Sequence, residues 1–127
     1  MKAITHSDQP TEEWRPGVRT RRIVAACDGA TALCIFEQWV DPGEGAPTHV
    51  HDVEEVLTVI AGRAEIWIDR ERLECGAGAS VVIPAGARHG FRNGGTTRLH
   101  IHAVLASPVF EAEFDEGVGQ VRRWDIT

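Results

Sequence analysis

Seven short runs rich in β-branched and aromatic residues, each closed by a turn signal, constrain this chain more than any other feature. They are RRIVAAC (21–27), TALCIFEQWV (31–40), EEVLTVI (54–60), RAEIWID (63–69), RLEC (72–75), ASVVIPA (79–85) and TRLHIHAVL (97–105). DGA (28–30), DPGEG (41–45), AG (61–62), GAG (76–78) and NGG (93–95) separate them. Such spacing predicts an all-β chain folded as a sandwich or barrel. No window of eleven or more residues carries a helical stripe, and VFEAEF (109–114) is expected to form a turn of helix at most. Residues 1–18 read as an N-terminal arm, 19–107 as the barrel and 108–127 as a tail packing on it, with WDI (124–126) as an added edge strand. At 127 residues, one such domain buries a core without disulfide staples.

Charge and residue usage narrow the partners. A formal net charge of −6 opposes a nucleic-acid partner, whose phosphates need a basic face. The short cluster Arg19, Arg21 and Arg22 reads as solvated strand surface. Three cysteines without a CxxC spacing are expected to be reduced thiols packed in the core. The N-terminus has no apolar stretch behind its lysine, so no membrane partner and a cytoplasmic location are expected. Tyrosine is absent, which leaves His, Glu, Asp and Cys for proton transfer.

Two of the six histidines sit in GEGAPTHVHDVEEVLTVIAG, residues 43–62. Residues two apart on a strand share a face, so His49 and His51 can aim at one point, and Glu55 keeps that parity. By itself this triple is weak, since His-x-His is common on half-buried strands. A second stretch, GASVVIPAGARHGFRN (78–93), adds Gly78, Pro84, Gly86, His89 and Asn93 at fixed intervals. Together the two stretches resemble the paired motifs of the cupin family, G(x)5HxH(x)3E(x)6G and G(x)5PxG(x)2H(x)3N, with every fixed position filled.

The resemblance covers about residues 19–107 and implies a small jelly-roll (double-stranded β-helix) barrel. It also implies one divalent transition metal held by His49, His51, Glu55 and His89. The donor set agrees with that implication. Three imidazoles and a carboxylate suit Fe, Mn, Ni, Co, Cu or Zn and are a poor match for Ca or Mg. Four protein ligands leave room for a chelating substrate. Asn93 is read as turn support rather than a ligand, and Glu54, of opposite parity, as outward-facing.

Candidate pocket residues follow from alternation. With Glu55 inward, Leu57 and Val59 share its face, and Ile66 and Ile68 of the paired run face in as well. Trp67 then points outward, where a large aromatic marks an interface. In TALCIFEQWV the inward pair is either Phe36 and Gln38 or Glu37 and Trp39, and the first pair is expected. Arg88 and Arg92 flank His89 as candidate carboxylate partners, although solvated loop arginines are the favoured reading. His100 and His102 repeat the His-x-His spacing. Either they line the barrel as proton-handling groups, or they face out while Leu99, Ile101, Ala103 and Leu105 pack inside.

These readings converge on a metal-binding barrel acting on a small organic molecule. Dioxygenase-like chemistry is the leading expectation, with Glu55 as proton acceptor. The alternatives are a cupin isomerase or lyase, and a non-catalytic binding or sensing module. A DNA-binding regulator is disfavoured because no helix-turn-helix segment is present. A homodimer is expected, with Trp67 near the interface and the arm contributing, because a half-open barrel has sheet edges to cover.

Overall fold

Alternating burial turns the β-rich runs into strands. In the computed structural model, which describes residues 1–117 and 119–126, they are β1 (Thr11–Arg15), β2 (Val18–Val24), β3 (Cys34–Val40), β4 (Gly45–Val50), β5 (Glu55–Ala61) and β6 (Arg63–Ile68). The second half supplies β7 (Glu71–Gly76), β8 (Ser80–Ile83), β9 (His89–Asn93), β10 (Leu99–Leu105), β11 (Phe110–Phe114) and β12 (Gln120–Arg123). They form two six-stranded antiparallel sheets, ordered β1-β2-β3-β10-β5-β8 (sheet A) and β12-β11-β4-β9-β6-β7 (sheet B). This is a jelly-roll arrangement. Among the described residues, helix is confined to two short 3-10 turns, His6–Asp8 and Ala26–Asp28. No helix among the described residues is long and apolar enough to cross a membrane.

The inner faces divide into two apolar clusters. One is mainly aliphatic, built around Val18, Val40, Val59, Ile66, Leu99 and Ile101. The other is aromatic, with Phe36, Phe110 and Phe114 joined by the half-buried Trp14 and Trp124. Cys34 and Cys75 are buried, whereas Cys27 is exposed; all three are free thiols.

Three local expectations are corrected. VFEAEF is strand β11 rather than a helical turn, because Phe110, Ala112 and Phe114 are buried and Glu111 and Glu113 point away, a period of two. WDI is not an edge strand. Trp124 adopts φ 68°, a left-handed conformation that ends β12, and its ring lies against Trp14 and Phe36. The N-terminal arm docks on its own barrel: β1 pairs with β2, and the Trp14 ring packs tilted against Phe110, centroids 4.8 Å apart. The expected boundary at residue 19 therefore falls inside β2.

Candidate metal centre

His49 reaches the interior through a defect in its strand. Ala46 pairs with Phe91 and His49 with His89, so β4 spends three residues where β9 spends two. This bulge at Pro47–Thr48 shifts the parity, so Ala46 and His49 both face inward. Proline suits the bulge because it has no N–H to place in the ladder. The same register sets His89 directly across from His49. His51 follows just beyond β4, and Glu55 opens β5 in the opposite sheet. The group thus bridges the two sheets.

The two motif stretches are tied together by backbone. Gly86, at φ 80°, donates its N–H to the His51 carbonyl at 2.8 Å, a conformation that L side chains rarely adopt. Gly90 admits no side chain, since a Cβ there would lie 2.4 Å from the Trp67 ring and 2.6 Å from the Ala46 carbonyl. Trp67 is half-buried on the outer face of sheet B, its Nε1 donating to Thr48 Oγ1 at 3.0 Å.

All four side chains are buried, and their donor atoms lie within 4.8 Å of one another. Each histidine places Nδ1 on a backbone carbonyl: His49 on Pro47 at 2.8 Å, His51 on Glu111 at 2.6 Å and His89 on Ala87 at 2.9 Å. A carbonyl only accepts, so Nδ1 carries the proton and the Nε2 lone pair is left for the centre. This is how ligating imidazoles are held in orientation. His51 Nε2 is buried without a hydrogen-bond partner, 3.7 Å from Glu55 Oε1. His89 Nε2 lies 3.2 Å from the same oxygen. Two lone pairs facing each other repel unless a proton or a cation lies between them, so the donor set fits a divalent cation.

The electrostatics point the same way. Burial pushes the His49 imidazole down to about 3, with the neighbouring His89 and His51 adding to the effect. His51 is likewise lowered by burial, against the raising effect of Glu55. Burial alone would raise Glu55, but the adjacent imidazoles of His89, His51 and His49 outweigh it and hold the carboxylate below its ordinary range. Neutral imidazoles beside an ionised carboxylate are the protonation state that metal binding requires.

A pocket opens beside this group, walled by both core clusters. Phe36, Gln38 and Leu57 line it with His49, Glu55 and His89. The inner cavity measures about 20 Å³, room for roughly one water. Gln38 is fixed by its Nε2 donating to Thr20 Oγ1 at 2.9 Å. An outer vestibule of about 330 Å³ adjoins it and shares Trp14, Arg15, Phe110 and Phe114.

Other candidates lie elsewhere. Ile66 is sealed in the aliphatic cluster at 1% exposure. Arg88 is exposed and paired with Asp115, and Arg92 with Glu65. His100 and His102 are on the outer face of sheet A, because Leu99, Ile101, Ala103 and Leu105 fill the inner one. There His100 Nε2 meets Glu37 Oε1 at 2.8 Å and its ring stacks on Trp39 at 5.0 Å. Asn93 supports a turn, its Nδ2 donating to the Val40 and Thr97 carbonyls and its Oδ1 accepting from the Gly95 N–H. Glu54 is exposed. Sequence reasoning missed Trp14, Arg15, Phe91, Phe110 and Phe114, although the alternation in 110–114 was a usable signal for the last two.

Comparison with known proteins places these features in company. Residues 36–105 match the family model described as "Cupin domain". The chain is 34% identical over 83 residues to quercetin 2,3-dioxygenase of Bacillus subtilis (strain 168), covering 56% of this chain and 25% of that protein. It is 37% identical over 88 residues to polyketide synthase CurC of Streptomyces cyaneus, covering 67% and 54%. The chain therefore spans a quarter of the length of the first relative and about half of the second. Protein SchB of Streptomyces halstedii is 30% identical over 110 residues, covering 84% and 80%. Among solved structures, the polyketide cyclase RemF from Streptomyces resistomycificus superposes with a TM-score of 0.70 at 27% identity, over 83% of this chain and 78% of that one.

Proposed function

The chain belongs to the cupin family, and from that premise we propose a metal-dependent enzyme acting on a small, oxygen-rich, ring-forming or aromatic molecule of polyketide type. The observation that carries the reading is the arrangement of three imidazoles, each tied through Nδ1, around one ionised carboxylate beside an aromatic-walled pocket. Ring closure is favoured over oxygenation by coverage. The polyketide cyclase RemF is matched over 78% of its length, the dioxygenase over a quarter of its own.

When bound, a divalent transition metal would supply Lewis acidity to a chelating enol or diketone. His49, His51, Glu55 and His89 would hold it. The remaining work falls to the chain's own groups. The inner cavity admits only the oxygen-bearing end of a substrate, so its body rests in the vestibule against Trp14, Phe110 and Phe114. Gln38 offers that end a neutral hydrogen-bonding group. Glu55 is the carboxylate poised to accept a proton from an acidified C–H or O–H, and the apolar walls exclude competing water.

Dioxygenase-like chemistry is the second reading, favoured by the quercetin 2,3-dioxygenase match. One experiment separates them: metal-loaded protein is incubated with a poly-β-ketone surrogate under nitrogen and with quercetin in an oxygen electrode. Anaerobic cyclisation, absent after chelation, supports the first reading; oxygen consumption without anaerobic turnover replaces it with the second. If neither reaction occurs, the catalytic reading gives way to a binding module.

A homodimer belongs to the same proposal. Support comes from exposed apolar side chains on sheet A, Ile60 at 48% and Val82 at 56%. The arm-and-Trp67 interface is set aside, since both pack on their own chain. Light scattering on a sizing column tests assembly, and a mass near that of one 13.9 kDa chain refutes it.

A further inference from the structure

Arg15 is the one cation, imidazoles aside, among the described residues that line the inner pocket, and it also lines the vestibule. Its Nη1 donates to the Gly45 carbonyl at 3.2 Å, and its guanidinium lies 5.4 Å from the Phe114 ring centroid. No carboxylate pairs with it among the described residues; Arg19, Arg70 and Arg98 share that, but none of them lines the pocket or the vestibule, whereas the other eight arginines are each paired. The acids nearby are committed or peripheral. Glu12 accepts from Trp14 Nε1 at 2.8 Å and Trp124 Nε1 at 3.4 Å, with Arg123 Nη1 at 3.8 Å. Glu116 is exposed on the vestibule rim. Arg123 lines the vestibule too, its Nε buried without a partner and its guanidinium 4.4 Å from the Trp14 ring centroid.

We propose that Arg15, with Arg123 behind it, is an anion-recognition subsite that binds a carboxylate or ionised enol on the substrate, remote from the end that enters the metal centre. The inference rests on the metal-site reading above and deepens it by naming the substrate class: an organic acid with chelating oxygens at one end and a negative charge at the other. A planar guanidinium with free donors is suited to bidentate capture of such a group. Burial and the like charge of Arg123 lower the Arg15 pKa, so a bound anion would relieve an existing electrostatic penalty. Phe114 and Trp14, each under one of the two guanidinium groups, keep the forks at the mouth rather than in bulk water.

The test uses 3,4-dihydroxycinnamate and its methyl ester, catechols that differ only in a remote carboxylate, titrated by calorimetry into the Zn(II)-loaded and the chelator-treated full chain. The acid is expected to bind the loaded wild type at least about tenfold more tightly than the ester. Arg15→Gln should reduce that preference to within about twofold, and Arg15→Lys should be intermediate. The lysine variant, which retains charge and stem, also provides the comparison if the glutamine variant fails to fold. Equal affinity of acid and ester, or a preference that survives both substitutions, overturns the proposal and leaves the metal-site reading intact. Catechol affinity indifferent to metal, with an Arg15-dependent preference for the acid, does the reverse. Lack of binding by both probes counts against both.

Discussion

His49 and His51 share their spacing with His100 and His102, yet the first pair is buried around a common point while the second lies half-exposed on the outer face of sheet A. Spacing fixes only that two residues share a face. Which face is decided by competition along the strand. On β10 the alternative inward set is Leu99, Ile101, Ala103 and Leu105, and burying a large aliphatic side chain is worth roughly 1.5–3 kcal/mol each. Imidazoles cannot match that, so they go outside. On β4 the Pro47–Thr48 bulge lets Ala46 and His49 both turn in, and backbone carbonyls satisfy the buried Nδ1 atoms.

The largest effect that could break this contrast is on metal affinity. His49→Ala, His51→Ala or His89→Ala should each weaken binding by more than about 100-fold, the scale on which even supporting groups act. His100→Ala and His102→Ala should leave it within about twofold. Competition with a chromophoric chelator measures both, and a reversed order would move the centre to the outer face. The barrel should stay folded throughout: His49 and His51 pack on the aromatic cluster at Phe114 and Phe110, but the aliphatic cluster is built without the ligand side chains.

Acid sharpens the contrast next. His49 is held down to about 3 by burial, so the folded chain takes up its proton less readily than the unfolded chain does. Stability from this group is therefore complete above about pH 6.5 and lost progressively as pH falls towards 3. Chelator-treated protein should lose on the order of 2 kcal/mol of unfolding free energy between pH 7 and 5, and His49→Ala should flatten that dependence. Denaturant melts read it directly; a wild-type curve flat over this interval contradicts the assignment of a neutral, buried imidazole.

The smallest effect belongs to the outer pair. Burial would raise the Glu37 carboxyl, but its hydrogen bonds with His100 and Arg21, each at 2.8 Å, outweigh that and hold it below the ordinary range. Glu37→Gln should cost about 1 kcal/mol and leave metal affinity unchanged. Thermal melts with and without metal separate the two quantities.

The ligands were legible through the resemblance of two stretches to the cupin motifs. Parity alone was weak for His49, His51 and Glu55, and it is not what places Glu55, which opens β5 in the sheet opposite β4. The outward fate of His100 was not legible, since both faces of a barrel strand can be buried and parity names neither. The mouth was hidden for another reason. Trp14 and Phe110 lie 96 residues apart in the chain, and only the packing of the arm against the C-terminal strands brings their rings to 4.8 Å. Nothing within either segment announces the other. Phe110, Ala112 and Phe114 did announce a strand, but five residues are short enough for a helical turn to compete.

The central claim is that three Nε2 atoms, with Nδ1 protonated, converge on one cation, and long-range proton–nitrogen correlation spectra of the six histidines test it most directly. On titration with Zn(II), the account predicts that His49, His51 and His89 shift to the metal-bound position at Nε2 and retain Nδ1–H, with saturation at one ion per chain. His6, His100 and His102 should not move. A metal shift at Nδ1 of any ligand, or at either ring nitrogen of His100 or His102, would contradict it.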